Sequence, residues 1–266
     1  MRTLRIYRAL LGAALRSELQ YRSNLALWIV AGVAYQGVGL AFVWVVIRQF
    51  GSIASWSLGE IAFLYSMRLM SHALFTVPFA ELFGIDYIVR DGHFDRFLVR
   101  PVSPFVQLVT RRIRLQSLGD LTGGATLLVV AAHLVRVDWS AGSVAFLVLA
   151  VLGGGLVEAA IQVFVSAFAF RMMSVRSLRM LVDRVINTFG GYPLSILPGV
   201  ARSALTFALP LAFVAYLPAT VLLNHTGELY VPAAFAWCTP VVGSVLWGVA
   251  LWFWHRQIRH YMSSGH

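Results

Sequence analysis

Residues 23–47 run for 25 positions without one charged side chain. Roughly 20 apolar residues in a helix are enough to cross the hydrocarbon of a bilayer, so this stretch fits a membrane as a single span. It has company. Mean hydropathy over the 266 residues is +0.77 and 12% of them are charged. A chain of that composition stays dispersed only if lipid covers most of its apolar surface, which makes it an integral membrane protein.

Further apolar runs follow. Residues 58–83 form a second span with Glu60 near its start, Arg68 inside it and Glu81 near its end. Residues 115–135 form a third containing Asp120, and residues 141–170 a fourth with Gly153 to Gly155 and Glu158. Residues 233–254 make the last span, after which a short basic tail closes the chain. Residues 188–223 are long enough for more than one pass but are broken by Pro193, Pro198, Pro210 and Pro218. Each proline removes a backbone donor that lipid cannot replace. The stretch 192–223 therefore reads as a re-entrant region beside one span, with Phe207, Leu209, Phe213 and Tyr216 lining an outer gate. A proline-kinked span packed on its neighbours is the other reading. The expected fold is an all-α integral membrane protein of six transmembrane helices in a single domain over residues 1–266.

Charge sets the orientation. All 21 basic residues are arginine, and 17 of them fall in the arm 1–22, the segments 84–114 and 171–184, and the tail. Cytoplasmic loops carry the excess of such residues, so both termini and the two basic loops, 84–114 and 171–184, are placed in the cytoplasm. Arg2, Arg5, Arg8 and Arg16 fall within a helical arc of roughly 120°, opposite Tyr7, Leu10, Leu11 and Ala14. Residues 1–22 thus read as a helix in the membrane interface. The net charge of +10 is a topology signal and an attraction to anionic lipid; no nucleic-acid module is present.

The segment 84–114 is the main polar interruption. Phe94, Phe97 and Leu98 fall at i, i+3 and i+4, one face of a short helix, with Asp95, Arg96 and Arg100 on its flanks. Pro101 disfavours helix at Arg100. The pattern fits either a solvated loop with an apolar underside or a docking surface for a soluble partner.

Absent chemistry is informative. Without lysine no GxxxxGK[ST] phosphate loop can exist, so ATP-driven work needs another chain. The seven histidines are scattered and Cys238 is the one cysteine, which argues against a zinc site. Ser71 and His72 are adjacent but have no GxSxG context. Arg68, Asp120 and Glu158 are the charges placed at membrane depth, each costing about 2.5 to 3.5 kcal/mol unless paired or hydrated. Pairing of Arg68 with Glu158, which would fix the bundle, and a part in substrate passage are both compatible with that placement. Gly32 to Gly39 and Gly153 to Gly155 read as helix-packing sets.

The runs YRSNLALWIV from Tyr21, SLGEIAFLY from Ser57, IVRDGHFDRFLVRPVSP from Ile88 and the proline series from Tyr192 carry a resemblance across nearly the whole chain. It resembles the permease subunits of ATP-binding-cassette exporters of the ABC-2 class, in the short six-span branch related to viologen and drug exporters. The resemblance implies a coupling helix in the first cytoplasmic loop, here Asp91, Gly92, Phe94, Asp95, Arg96, Phe97, Leu98, Arg100 and Pro101. It implies external re-entrant helices, here bearing Pro193, Phe207, Pro210, Phe213, Tyr216 and Pro218. It further implies a second permease, identical or related, and two separate ATPase subunits that bind the ATP and magnesium, with no cofactor or metal in this chain. Residues 171–184 are unusually basic for that pattern. An ion-gradient-driven transporter using Arg68, Asp120 and Glu158 as a relay is the rival, and a structural anchor for a signalling complex is a second.

Overall fold

The computed structural model describes residues 22–50, 55–111, 117–172 and 174–262, together with 12, 13, 16, 17 and 20; side chains are described for part of residues 22–50. The expected interfacial helix over residues 1–22 lies almost wholly outside them. The described residues are helical or irregular, with no strand among them.

Helix α1 (Arg22–Phe50) holds the charge-free run. Helix α2 (Leu58–Phe79) begins at a capping box, in which Ser57 Oγ accepts from the Glu60 amide at 3.4 Å and Glu60 Oε2 accepts from the Ser57 amide at 2.7 Å. These reciprocal bonds satisfy two donors that a helix start leaves free. Pro78 cannot donate to the helix ladder, and just beyond it α2 tightens into a 3-10 turn over Ala80–Gly84. Helix α3 (Ile85–Arg90) follows, and Gly92, at φ 66°, turns the chain into α4 (Asp95–Leu98). Only glycine takes that left-handed conformation without strain. Pro104 opens α5 (Pro104–Val109), at a helix start where a missing N–H costs nothing.

Helix α6 (Leu118–Leu134) leads to α7 (Ala141–Ala167), which extends through a 3-10 turn at Phe168–Phe170. Residues 171–184, expected as a loop, are instead largely helical. Helix α8 (Arg176–Phe189) occupies them. The proline-broken stretch holds a 3-10 turn at Leu194–Ile196, α9 (Gly199–Ser203) running into a π-helical turn at Ala204–Ala208, a 3-10 turn at Leu211–Phe213, and α10 (Tyr216–Leu222). The expected last span is divided at Cys238 into α11 (Ala233–Trp237) and α12 (Thr239–Gln257).

Two helical runs, Leu58–Arg90 and Ala141–Phe170, are long and apolar enough to cross a membrane, and a third exists if Gly199–Ala208 and Leu211–Leu222, bent by 77°, are taken as one. Ala26–Tyr35 and Leu118–Leu134 are shorter apolar helices.

Helix α7 is the central element, packed on both α2 and α12, while α6 joins α1 to α2. Glycines set these approaches. A Cβ added at Gly243 of α12 would meet the Gly153 carbonyl oxygen at 2.3 Å, one at Gly154 would meet Val214 O at 2.4 Å, and one at Gly32 would meet Gly119 Cα at 2.9 Å. Close backbone contact of this kind is how helices associate where hydrophobic burial offers little drive. Apolar side chains collect in two clusters along α2 and α7. One includes Trp56, Phe63, Met67, Phe146 and Phe213; the other includes Phe75, Ile88, Phe94, Phe105 and Trp254.

Broken backbone at 193–210 leaves carbonyls without helical partners, and a buried one must find a donor. Arg202 supplies it. Its Nη2 donates to Ser195 O at 3.2 Å and to Leu197 O at 3.1 Å, and its guanidinium stacks 5.1 Å from the Tyr230 ring. Tyr230 in turn donates to Arg202 O at 3.1 Å and bonds Thr206 Oγ1. Pro218 is harmless because it lies in the first turn of α10, whose amides have no intrahelical acceptor.

Candidate functional site

A ladder of polar side chains runs between α2, α7 and α8. In α7 the polar positions Glu158, Gln162 and Ser166 are spaced i, i+4, i+8, and in α8 so are Arg179, Asp183 and Asn187. Residues four apart share a helix face, so each helix presents one polar stripe, and the stripes meet. Glu158, 1% exposed, places Oε1 2.5 Å from His72 Nδ1 of α2. Gln162 Nε2 donates to Asp183 Oδ1 at 2.5 Å. Arg179, 5% exposed, donates through Nη2 to Ser166 Oγ at 2.9 Å and through Nη1 to the Leu82 carbonyl. Arg68 Nη2 donates to Asn187 Oδ1 at 2.6 Å. On α8 both Arg179 and Ile186 are buried, while Leu178, Met180 and Leu181 are exposed.

The direct Arg68–Glu158 pair expected from the sequence is therefore corrected. Glu158 takes His72, and Arg68 takes a neutral amide on a helix that the sequence reading had treated as loop. Asp120 stands in the first turn of α6, at the end of a helix where the backbone dipole favours a carboxylate. Ser71 is structural, donating from Oγ to Val151 O at 3.1 Å.

The second candidate region is the segment around α4. Phe94 is fully buried and Phe97 is 8% exposed. Phe94 packs edge-on against Phe170 at 4.9 Å, Tyr261 at 5.1 Å and Phe97 at 5.6 Å. Phe94 and Phe97 thus cannot offer an apolar face to a partner, which corrects that expectation; they anchor the segment to the end of α7 and to the C-terminal tail. Leu98, 48% exposed, remains outward and is joined by Val99, 82% exposed, which sequence spacing had not singled out. Arg96, Arg100 and Pro101 are exposed beside them, and Asp91 and Asp95 are half-buried, with Asp91 Oδ1 3.1 Å from Arg90 Nε.

This segment is bolted to the ladder. Asp86 Oδ1 of α3 accepts from the Val175 amide at the start of α8 at 2.9 Å, and the Leu82 carbonyl just before α3 accepts from Arg179. The two bonds join residues 82–86 to the start of α8.

Of the proposed outer lining, Phe207 is 61% exposed and stands edge-on to Phe235 at 6.4 Å. Phe213 and Tyr216 are buried in the first apolar cluster, and Pro193 and Pro218 are buried with them, so these side chains seal the region and form no open lining. Pro210 is half-buried at the 77° bend. Next to this region His225 lies between two carboxylates, Nε2 2.9 Å from Glu60 Oε1 and Nδ1 3.1 Å from Glu228 Oε1, and stacks on Trp56 at 4.9 Å. Trp56 Nε1 donates to the other Glu228 oxygen at 3.2 Å. Both ring nitrogens can donate only in the imidazolium. Burial lowers the pKa of His225, but the bonds to Glu60 and Glu228 and their charges outweigh it and raise it above the ordinary 6.5. A group whose folded pKa is raised stabilises the fold below its unfolded pKa and ceases to do so as pH rises through the folded value. The difference in thermal midpoint between the wild type and His225→Gln is expected to be largest near about pH 6 and to shrink toward about pH 9. A pH-independent difference would show that this contact is not charged.

Among the described residues no group of three or more His, Cys, Asp or Glu could hold a metal ion. What these features define is a membrane-embedded helical bundle that buries Arg68, Glu158 and Arg179 and turns one amphipathic segment out. A family model described as ABC-2 family transporter protein matches residues 33–265. The chain belongs to the ABC-2 transporter family, whose chains of this kind are the membrane component and not the ATPase. No curated protein matches it, and no solved structure does.

Proposed function

We propose that the chain is the permease half of an ATP-driven exporter. It lies in the bacterial plasma membrane with six spans and both termini in the cytoplasm, pairs with a second permease, and is driven by two separate ATPase subunits that hold the ATP and magnesium. Its cargo is amphipathic, drug-like or lipid-like, and moves outward. The membership in the ABC-2 family carries this reading. The exposed α4 segment supports it, because an apolar pair rimmed by Arg96 and Arg100 is what a soluble ATPase could grip, and the Asp86–Val175 and Leu82–Arg179 bonds would relay its movement to α8. The bend at Pro210 supports a re-entrant outer element over 192–223, since a re-entrant backbone is tolerated at membrane depth only where protein covers it.

The double change Leu98→Asp with Val99→Asp removes the outward apolar pair without touching the buried phenylalanines. Membrane insertion and thermal midpoint are expected to stay at wild-type values while recovery of the ATPase subunit by co-purification drops at least tenfold. Unchanged recovery would mean that the ATPase docks elsewhere.

A further inference from the structure

We propose that the cleft between α4 and α5 is a binding site for a phosphate ester, of the kind carried by an anionic phospholipid headgroup. The cleft has a volume of about 310 Å³ and is lined by Arg96, Arg100, Arg111 and His93, with aromatic walls from Tyr87 and Phe97. Among the described residues no carboxylate lines it. Glu81 meets Arg111 Nη1 at 3.5 Å, which leaves that guanidinium with other donors. Arg96 and Arg100 have no side-chain hydrogen bond or ion pair among the described residues. Three guanidinium groups gathered about one cavity repel each other, and an anion between them relieves that repulsion. Planar guanidinium forks match phosphate oxygens in pairs.

The cleft is held in shape. Gln107, 6% exposed, donates from Nε2 to Phe97 O at 2.9 Å and to Val102 O at 2.7 Å. Those two bonds close the turn between α4 and α5, so the backbone next to Arg96 and Arg100 is fixed to α5 before any ligand arrives. The cavity is roomier than one carboxylate needs and falls at the lower end of about 300–1,000 Å³ for small-ligand sites, enough for a phosphate with a glycerol-sized group against Tyr87. Basic pockets beside membrane helices commonly take anionic headgroups. The exposed Leu98 and Val99 sit next to it in sequence, so occupancy would reach the same segment that is proposed above to dock the ATPase. The site itself stands on its lining residues and does not depend on that docking.

The test uses the purified full chain in detergent, titrated with short-chain phosphatidylglycerol, with phosphatidylcholine of the same chain length, and with sn-glycerol 3-phosphate. Binding is followed by native mass spectrometry and by the shift in thermal midpoint. Phosphatidylglycerol is expected to remain bound and raise the midpoint, phosphatidylcholine to do neither, and Arg96→Gln with Arg100→Gln to weaken binding at least tenfold with an unchanged lipid-free midpoint. Arg111→Gln should weaken it as well, whereas Arg256→Gln with Arg259→Gln in the tail should not. A response to glycerol 3-phosphate equal to that of the lipid assigns the site to soluble phosphate esters, and a response to the lipid alone assigns it to the bilayer; either supports the site. Wild-type affinity in both arginine variants, equal binding of phosphatidylcholine, or neutralisation of these arginines only by the ATPase subunit would overturn it.

Discussion

Replacing His72 by leucine is expected to cost the folded chain about 3–5 kcal/mol, the range for leaving a buried charge without its partner. The loss comes from what remains. Glu158, 1% exposed, would keep a carboxylate whose nearest partner, 2.5 Å away, is gone. Glu158→Leu should cost less, because the imidazole it leaves is 24% exposed and its polar edge can be met by water. The double change His72→Leu with Glu158→Leu should recover much of the larger loss. Unfolding midpoints of the four proteins in one detergent make the cycle, and strictly additive losses would show that the two side chains do not interact.

The second large effect is expected at the crossing of α7 and α12. In Gly243→Ala the new methyl carbon would lie 2.3 Å from the Gly153 carbonyl oxygen, and a backbone atom cannot swing aside as a side chain can. The helices must separate, and overpacking of this kind costs about 1–3 kcal/mol or more. Gly248→Ala, five residues on in the same helix, meets nothing within 4 Å and should gain up to about 1 kcal/mol from helix propensity. A midpoint for Gly243→Ala equal to that of Gly248→Ala would refute the tight crossing.

Much of the bundle was legible in the sequence, because apolar length and Gly/Pro punctuation act locally. The run 141–170 coincides with α7 and its 3-10 extension, and Pro101 marked where α4 would fail to continue. Residues 171–184 were misread for a physical reason. A basic stretch outside an apolar run resembles a solvated loop, and only the i, i+4 spacing of Arg179 and Asp183 against Gln162 and Ser166 signalled that α8 sets polar side chains against α7. His72 was invisible for the same reason: a lone histidine in an apolar helix says nothing of the carboxylate opposite. Phe94 and Phe97 show the converse. Their periodicity gave the face correctly but not which way it points, since their partners Phe170 and Tyr261 are distant in sequence. Val99 lay outside the periodic pattern, and its exposure follows from α4 ending at Leu98.

The central claim, that a separate ATPase drives this chain through the α4 segment, is tested most directly in inside-out proteoliposomes. These hold the chain together with its cognate ATPase subunit, and uptake of an amphipathic fluorescent dye is followed after ATP is added. The account predicts ATP-dependent uptake that disappears when the phosphate-loop lysine of the ATPase is changed to alanine and when Leu98→Asp with Val99→Asp is present in this chain. Uptake driven by a proton gradient in vesicles without the ATPase, or ATP-driven uptake undiminished by the double aspartate change, would contradict it.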